Sequence, residues 1–457
     1  MALTASARRH YALRGLTAAL VIAGISTGCG SNGPDNRDGA NEPGRDAAAN
    51  GRRVLEVWTP EGGTRLQLVQ QRADEFVAAH PDVKVNFTIR DFGSYPPQLK
   101  LALGSDRPPD VAIGNLGWSL DGPLIKAGLL RPLDSWAARY GWDKRFPEVA
   151  QRQMRFSADG KQFGRGPIFG IPYAADVIGW FYNVGKLKKL EIGVPATLAE
   201  LEAALEAARR AGEVPIMLGN KQQWPGLHLF YLVSDDLASD REINGIVFGD
   251  RSVKWTAPSF VASARKLSQW NDKGYISAGV NSMSTDDALA KFIRGTGVFL
   301  PAGSWNAAEL SAAMHDNVAF FLTPPVRRGD PSRATGSVGY GWHIAATSRQ
   351  ADLAAEFIDF MTQEAFAIQL AASGDLSPLP LGDGVLRAPS PLSGEISAAW
   401  QGVLANGTLL PYLEFSAPQG TEVLYPMMQS MISGHDTPEQ GLAQIEQSRE
   451  KFLDSLQ

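Results

Sequence analysis

Hydrophobic and polar positions alternate along the chain in two periods, and the two periods take turns. Val54-Leu55-Glu56-Val57-Trp58 reads as a short strand, stopped by Thr59-Pro60-Glu61-Gly62-Gly63. Leu66, Val69, Phe76 and Val77 then recur at helical spacing until His80-Pro81, and Val83 to Ile89 alternates as a second strand. A helix through Leu99 to Leu103 and a strand at Val111-Ala112-Ile113 continue the series. Val177 to Tyr182 is apolar throughout, as expected of a strand covered on both faces. Thr197 with Glu200 three residues on predicts a capped helix. Helices are expected over 258–272, 285–294, 304–314 and 349–373, and strands over 297–300, 317–322 and 341–347. Thr437-Pro438-Glu439-Gln440 opens a last helix, with a cap, a proline at the first helical position and a glutamine to close the capping box. Strands alternating with helices in this way predict an α/β protein with largely parallel sheets.

The first fifty residues follow neither period. Residues 1–14 hold Arg8, Arg9 and Arg14 and no acid, and Gly15 to Gly28 is small and apolar without interruption. These are the proportions of an export signal, and the run is shorter than the roughly 20 residues a membrane-spanning helix needs. Ser26-Thr27-Gly28-Cys29 resembles a bacterial lipobox, although Ser26 stands where leucine is usual. Residues 1–28 are therefore expected to be a lipoprotein signal peptide and Cys29 the acylated residue; a cleaved signal followed by an incidental cysteine is the alternative. Residues 29–53, rich in Gly, Asn, Asp and Pro, are expected to form a flexible tether. The expected location is the outer face of the cytoplasmic membrane.

Composition narrows the function classes. The 457 residues carry 43 Lys and Arg against 48 Asp and Glu, a net charge of −5 that offers no footprint for nucleic acid. Without residues 1–28, three arginines fewer, the imbalance grows. One cysteine excludes an intramolecular disulfide and thiolate zinc sites. The six histidines show no metal-ligand spacing, and neither a nucleophile elbow nor a P-loop occurs, so no cofactor and no metal are expected. Eleven tryptophans remain to be explained.

Several segments, in order, resemble one family. They are Pro109 to Val111, Ala127 to Asp134, Phe169 to Asn183, Pro195 to Leu201, Gly303 to Trp305, Gly339 to Met361 and Ser433 to Leu442. Together they are similar to the extracellular solute-binding proteins of bacterial ABC sugar importers, the group that includes maltose-binding protein. The resemblance implies a two-lobed periplasmic-binding-protein fold of type II, its α/β lobes joined by hinge crossings around a ligand cleft. It implies lobe 1 over 54–175 plus 326–375, lobe 2 over 183–318 plus 380–457, and hinges at 175–182, 318–325 and 374–380. It also implies a monomer that captures a carbohydrate and docks on membrane permease subunits served by a cytoplasmic ATPase. A secreted glycoside hydrolase acting on oligosaccharides is the alternative, because two suitably spaced carboxylates are all that such an enzyme requires.

A sugar offers hydroxyls at its rim and C–H groups on its faces, so its site needs aromatic platforms beside carboxylates and amides. Trp58 and Glu61 stand at the carboxyl end of the first strand, where open α/β sheets bind ligands. Asn115 and Trp118 lie in the loop after the strand at 111–113. Tyr340 and Trp342 flank Gly341, and one of the two is expected to face the cleft. The resemblance adds Asp176 as a sugar-binding acid and Trp224 and Trp305 as stacking platforms. So many aromatic candidates favour a di- or oligosaccharide.

Overall fold

The structure is a computed structural model that describes residues 51–91, 94–382, 388–418 and 420–457. The signal peptide, Cys29 and the tether as far as residue 50 lie outside the described residues. Among the described residues there are twelve strands: β1 (Arg53–Thr59), β2 (Val83–Ile89), β3 (Val111–Asn115), β4 (Arg155–Phe156), β5 (Phe163–Ile168), β6 (Ile171–Pro172), β7 (Asp176–Asn183), β8 (Phe299–Gly303), β9 (Val318–Phe321), β10 (Ala334–Ser337), β11 (Tyr340–Ile344) and β12 (Leu409–Leu410).

They form two five-stranded sheets and one hairpin, so the chain is an α/β protein with two lobes. The first sheet has the order β2-β1-β3-β11-β6; the second has β12-β10-β7-β8, with β9 also paired to β7; β4 and β5 pair separately. β1 lies parallel to β2 and β3, as expected of strands separated by helices. β1 buries Leu55, Val57 and Thr59 on one face and leaves Glu56 and Trp58 partly covered on the other. β7 is buried almost throughout, because β8, β9 and β10 all pair with it. This is why its sequence reads as one apolar run.

The expected helix over 349–373 is two helices, Ala351–Phe360 and Glu364–Ser373. Thr362 lies at the break: its carbonyl and hydroxyl accept from Arg145 Nη1 at 3.3 and 3.0 Å, and its hydroxyl donates to the Ile358 carbonyl at 2.8 Å. The capping box at Thr437 is present with both of its hydrogen bonds.

Among the described residues the chain passes between the sheets three times, and the passages lie against one another. The first, Tyr173 to Ala175, joins β6 to β7. The third runs through Asp375 and Leu376, whose carbonyl accepts the Ala175 N–H at 2.8 Å. The second is Val338-Gly339, between β10 and β11, and not 318–325 as the resemblance implied. β9 stays in the second sheet, with Val318 opposite Asn183 and Phe321 opposite Trp180, and β10 then pairs with β7 as well. Residues 326–337 accordingly go with the second sheet. Gly339 has φ +75°, and a Cβ there would stand 2.2 Å from the Ala174 carbonyl oxygen, so only glycine lets these two passages touch.

Candidate functional site

The turn after β1 supplies the first part of the site. The Thr59 hydroxyl accepts the Glu61 N–H at 3.0 Å and tightens the bend, and Arg65 follows in the first turn of the helix Gly63–Ala79. Arg65 reaches out of the first lobe to two of the passages. Its Nη2 donates to Asp176 Oδ1 at 2.9 Å, while Nε and Nη2 grip both Asp375 oxygens at 2.7 and 2.6 Å. Glu61 lies 3.9 Å from Arg65 Nη1 and accepts the Tyr173 hydroxyl. One guanidinium thus serves three largely buried carboxyl groups.

Burial decides the protonation of Glu61. Loss of water pushes its carboxyl up to about 7, against the opposing pull of Arg65 and the Tyr173 hydroxyl. The folded state therefore holds a proton that the unfolded chain releases near the ordinary value of 4.5. Stability is unaffected below that value, falls as pH rises towards 7, and levels off above it. Glu61→Gln is expected to remove this slope and to gain up to about 3 kcal/mol relative to the wild type above pH 7. Urea unfolding of both proteins between pH 4 and 8 measures it; parallel pH profiles would show Glu61 to be solvated.

An aromatic wall forms the second part. Gln223 has a left-handed backbone (φ +69°) immediately before Trp224, which opens the helix Trp224–Leu237. Trp305 lies in the 3-10 turn Ser304–Asn306 after β8 and is 42% exposed, a large apolar surface with no cover. Its indole folds back over Gly303, where a Cβ would stand 2.1 Å from the ring. The two indoles are 6.3 Å apart at 64°, and His228 lies 4.8 Å from Trp224 and 5.8 Å from Trp305. Tyr412 stacks on His228 at 6.1 Å. Burial lowers His228 to about 3, so its imidazole is neutral.

The two parts belong together. The charge of Asp176 adds to burial in raising Tyr412, and those of Glu61 and Asp176 add to burial in raising Tyr340. Asn115 stands opposite Tyr340 in the β3–β11 register. Glu61, Asn115, Asp176, Trp224, Trp305 and Tyr340 are thus gathered around one region.

Three expected residues are elsewhere. Trp58 lies on the far side of β1 from Thr59, with the Arg90 guanidinium 5.2 Å above its ring. Trp118 is buried, edge-on to Phe156 at 5.2 Å and to Phe452 at 4.9 Å. Trp342 is fully buried against Tyr173 and Phe357, one step deeper than Tyr340 on the same face of β11. Trp118 and Trp342 are core residues, because aromatic neighbours distant in sequence cover them. Sequence reasoning missed Arg65, Tyr173, His228, Asp375 and Tyr412. Two of these had a signal: Arg65 lies four residues after Glu61 and His228 four after Trp224, each within reach of its partner.

Comparison with known proteins decides the family. A model of the bacterial extracellular solute-binding proteins matches residues 60–367, two thirds of the chain. The chain belongs to the bacterial extracellular solute-binding proteins. Among the relatives of this solute-binding protein is a maltotriose-binding protein of Pyrococcus abyssi, 22% identical over 78% of this chain and 72% of that one. A multiple sugar-binding protein of Streptococcus mutans is 26% identical over 46% of this chain and 51% of its own length. In structure, it superposes on a chitin oligosaccharide binding protein with a TM-score of 0.73, at 22% identity, covering 88% of this chain and 99% of the other. A solute-binding protein captures its ligand without chemistry, and the hydrolase alternative falls away. Among the described residues no helix is long and apolar enough to cross a membrane.

Proposed function

We propose that this protein captures a carbohydrate of two or more rings for an ABC importer, by closing its lobes on the ligand. The observation that carries the reading is the pairing of the exposed Trp305 and its neighbour Trp224 with the Glu61–Arg65–Asp176–Asp375 cluster. Indole faces match the C–H faces of pyranose rings, and the carboxylates and guanidinium match their hydroxyls. The carboxyl cluster lies where two passages meet the first lobe, so a ligand held there touches both lobes only when they are closed. Binding then shifts an open–closed equilibrium through differential affinity. The protein would act as a monomer held to the outer face of the membrane by lipid on Cys29 and would deliver its ligand to permease subunits.

Thermal-shift screening of neutral mono- and oligosaccharides tests the reading, since a ligand that binds only the native state raises the melting temperature. At least one oligosaccharide is expected to give a saturable rise. Trp305→Ala and Asp176→Ala are expected to abolish it while the fold survives. Unchanged binding in both variants would overturn the site, and production of new reducing ends would overturn the function.

A further inference from the structure

The turn before Trp224 is strained and is held from several sides. Among the described residues three other than glycine have positive φ, and Gln223 is the one beside the aromatic wall. Its φ is +69° and its ψ −34°, and the Trp224 N–H donates to the Gln222 carbonyl at 2.9 Å. Residues 222–224 are therefore a γ-turn of the rare, strained kind. A glutamine gains nothing locally from such a backbone, so its surroundings must impose it.

Those surroundings are amides. Asn220 is fully buried and bonds in four directions. Its Oδ1 accepts the Gly226 N–H at 2.7 Å, and its Nδ2 donates to Asn281 Oδ1 at 2.9 Å. Its carbonyl accepts the Gln223 N–H and Gln429 Nε2, each at 3.0 Å. Gln429 Oε1 in turn accepts Gln223 Nε2 at 3.1 Å, and the Gln429 carbonyl accepts Asn281 Nδ2 at 3.1 Å. On the other side, Gln222 Oε1 accepts both the N–H and the hydroxyl of Thr285 at 3.1 Å. A Cβ on Gly226 would stand 2.9 Å from Asn220 Nδ2, so glycine there lets the amide lie against the helix. The turn is thus tied to the helix Tyr425–Ile432 and to residues 281 and 285. The first three residues of the helix Trp224–Leu237 are left with no free N–H: Trp224 bonds Gln222, Pro225 has none and Gly226 bonds Asn220.

What this arrangement fixes is the direction of one side chain. Trp224 stands at the first helical position, where helix ends ordinarily fray, and its ring is only partly covered by neighbours. We propose that Asn220, Gln223 and Gln429 are positioning residues, which hold the strained turn so that the Trp224 indole is set for stacking before a saccharide arrives. This rests on the reading of Trp224 as a ligand platform and names the residues that act through it. A platform already fixed in the empty protein need not be ordered on binding. A variant whose indole takes that orientation a tenth of the time binds roughly tenfold more weakly.

Three variants test the proposal: Gln223→Ala, Gln223→Gly and Gln429→Leu. The first two both lose the side-chain bond to Gln429, but only glycine relieves the positive φ. Gln223→Gly is expected to unfold at a higher urea concentration than Gln223→Ala and yet to bind more weakly, since its turn is freer. Gln429→Leu is expected to weaken binding roughly tenfold. Affinity is read by calorimetry with the trisaccharides of α-1,4-linked glucose and β-1,4-linked N-acetylglucosamine, and with the sugar that gives the largest thermal shift. In the empty protein, near-ultraviolet circular dichroism, taken as the difference from Trp224→Ala, isolates the fixed indole. Gln223→Gly and Gln429→Leu should lose most of that difference. A wild-type Trp224 signal in both, or affinity that merely follows stability across the three variants, would overturn the proposal and leave the carbohydrate reading standing. Failure of the wild type to bind either trisaccharide or any sugar of the thermal-shift panel would overturn both.

Discussion

Replacing Arg65 by methionine is expected to cost about 3–5 kcal/mol of stability at pH 7, because it removes the one cation from a largely buried carboxylate cluster. Its Nη2 and Nε make three contacts of 2.6 to 2.9 Å with Asp176 and Asp375, and the side chains involved are between 11% and 17% exposed. Without the guanidinium, two carboxylates on adjoining passages face each other with little water to separate them. The variant can relieve this only by taking up protons or by parting the passages. Its deficit should therefore shrink as pH falls from 7 towards 4, as the stranded carboxylates protonate in the folded state. Arg65→Lys should recover only part of the loss, since a single ammonium cannot span two carboxylates as a planar fork does. Urea unfolding at both pH values reads the effect directly. A deficit below about 1 kcal/mol, the range of exposed ion pairs, would mean that the cluster is solvated and does not fasten the passages.

How much of this was legible from the chain alone depends on how far apart the interacting residues lie. β1, β2 and β7 are readable because their periodicity is written in their own residues, and so is the Thr437 capping box. Glu61, Asp176, Trp224 and Trp305 are candidates in the sequence because a strand-end loop marks the first and the family resemblance the other three. The second passage was misplaced because which sheet a strand joins depends on its partners. Nothing within Val318 to Phe321 says that β7 will claim it. Asp375 is an unremarkable acid after a glycine until Arg65, 310 residues earlier, reaches it. Tyr340 and Trp342 share a face of β11, and only the helix Ala351–Phe360 and Tyr173 determine which of them is covered.

Trp118→Ala is the second substitution with a large expected effect, and it separates a core residue from a closing one. A polar loop with glycines on either side of the indole reads as exposed, yet the loop is covered from the other lobe. The Trp118 N–H donates to the Phe415 carbonyl at 3.0 Å, and a Cβ on Gly117 would stand 2.5 Å from Phe415 Cβ. Phe156 of the first lobe and Phe452 near the chain's end enclose the ring between them. The same two faces meet again where Phe163 lies 4.9 Å from Phe248 and Arg152 stacks on Phe248 at 3.6 Å. These contacts involve no residue of the three passages, so the lobes are fastened by a second set of residues. Truncating a buried tryptophan costs about 3–5 kcal/mol. If the lobes part when the protein opens, the share of that loss due to Phe452 and Phe415 falls on the closed form alone. A share of about 1.4 kcal/mol would weaken ligand binding tenfold through a buried side chain, because the competent state becomes rarer. Calorimetry with a sugar identified by thermal shift, together with small-angle scattering of the empty variant, measures both sides of the expectation. A lower melting temperature with unchanged affinity and unchanged radius of gyration would assign Trp118 wholly to the core of the first lobe. Weaker binding with a more extended empty form would instead make this aromatic contact a determinant of affinity remote from the sugar.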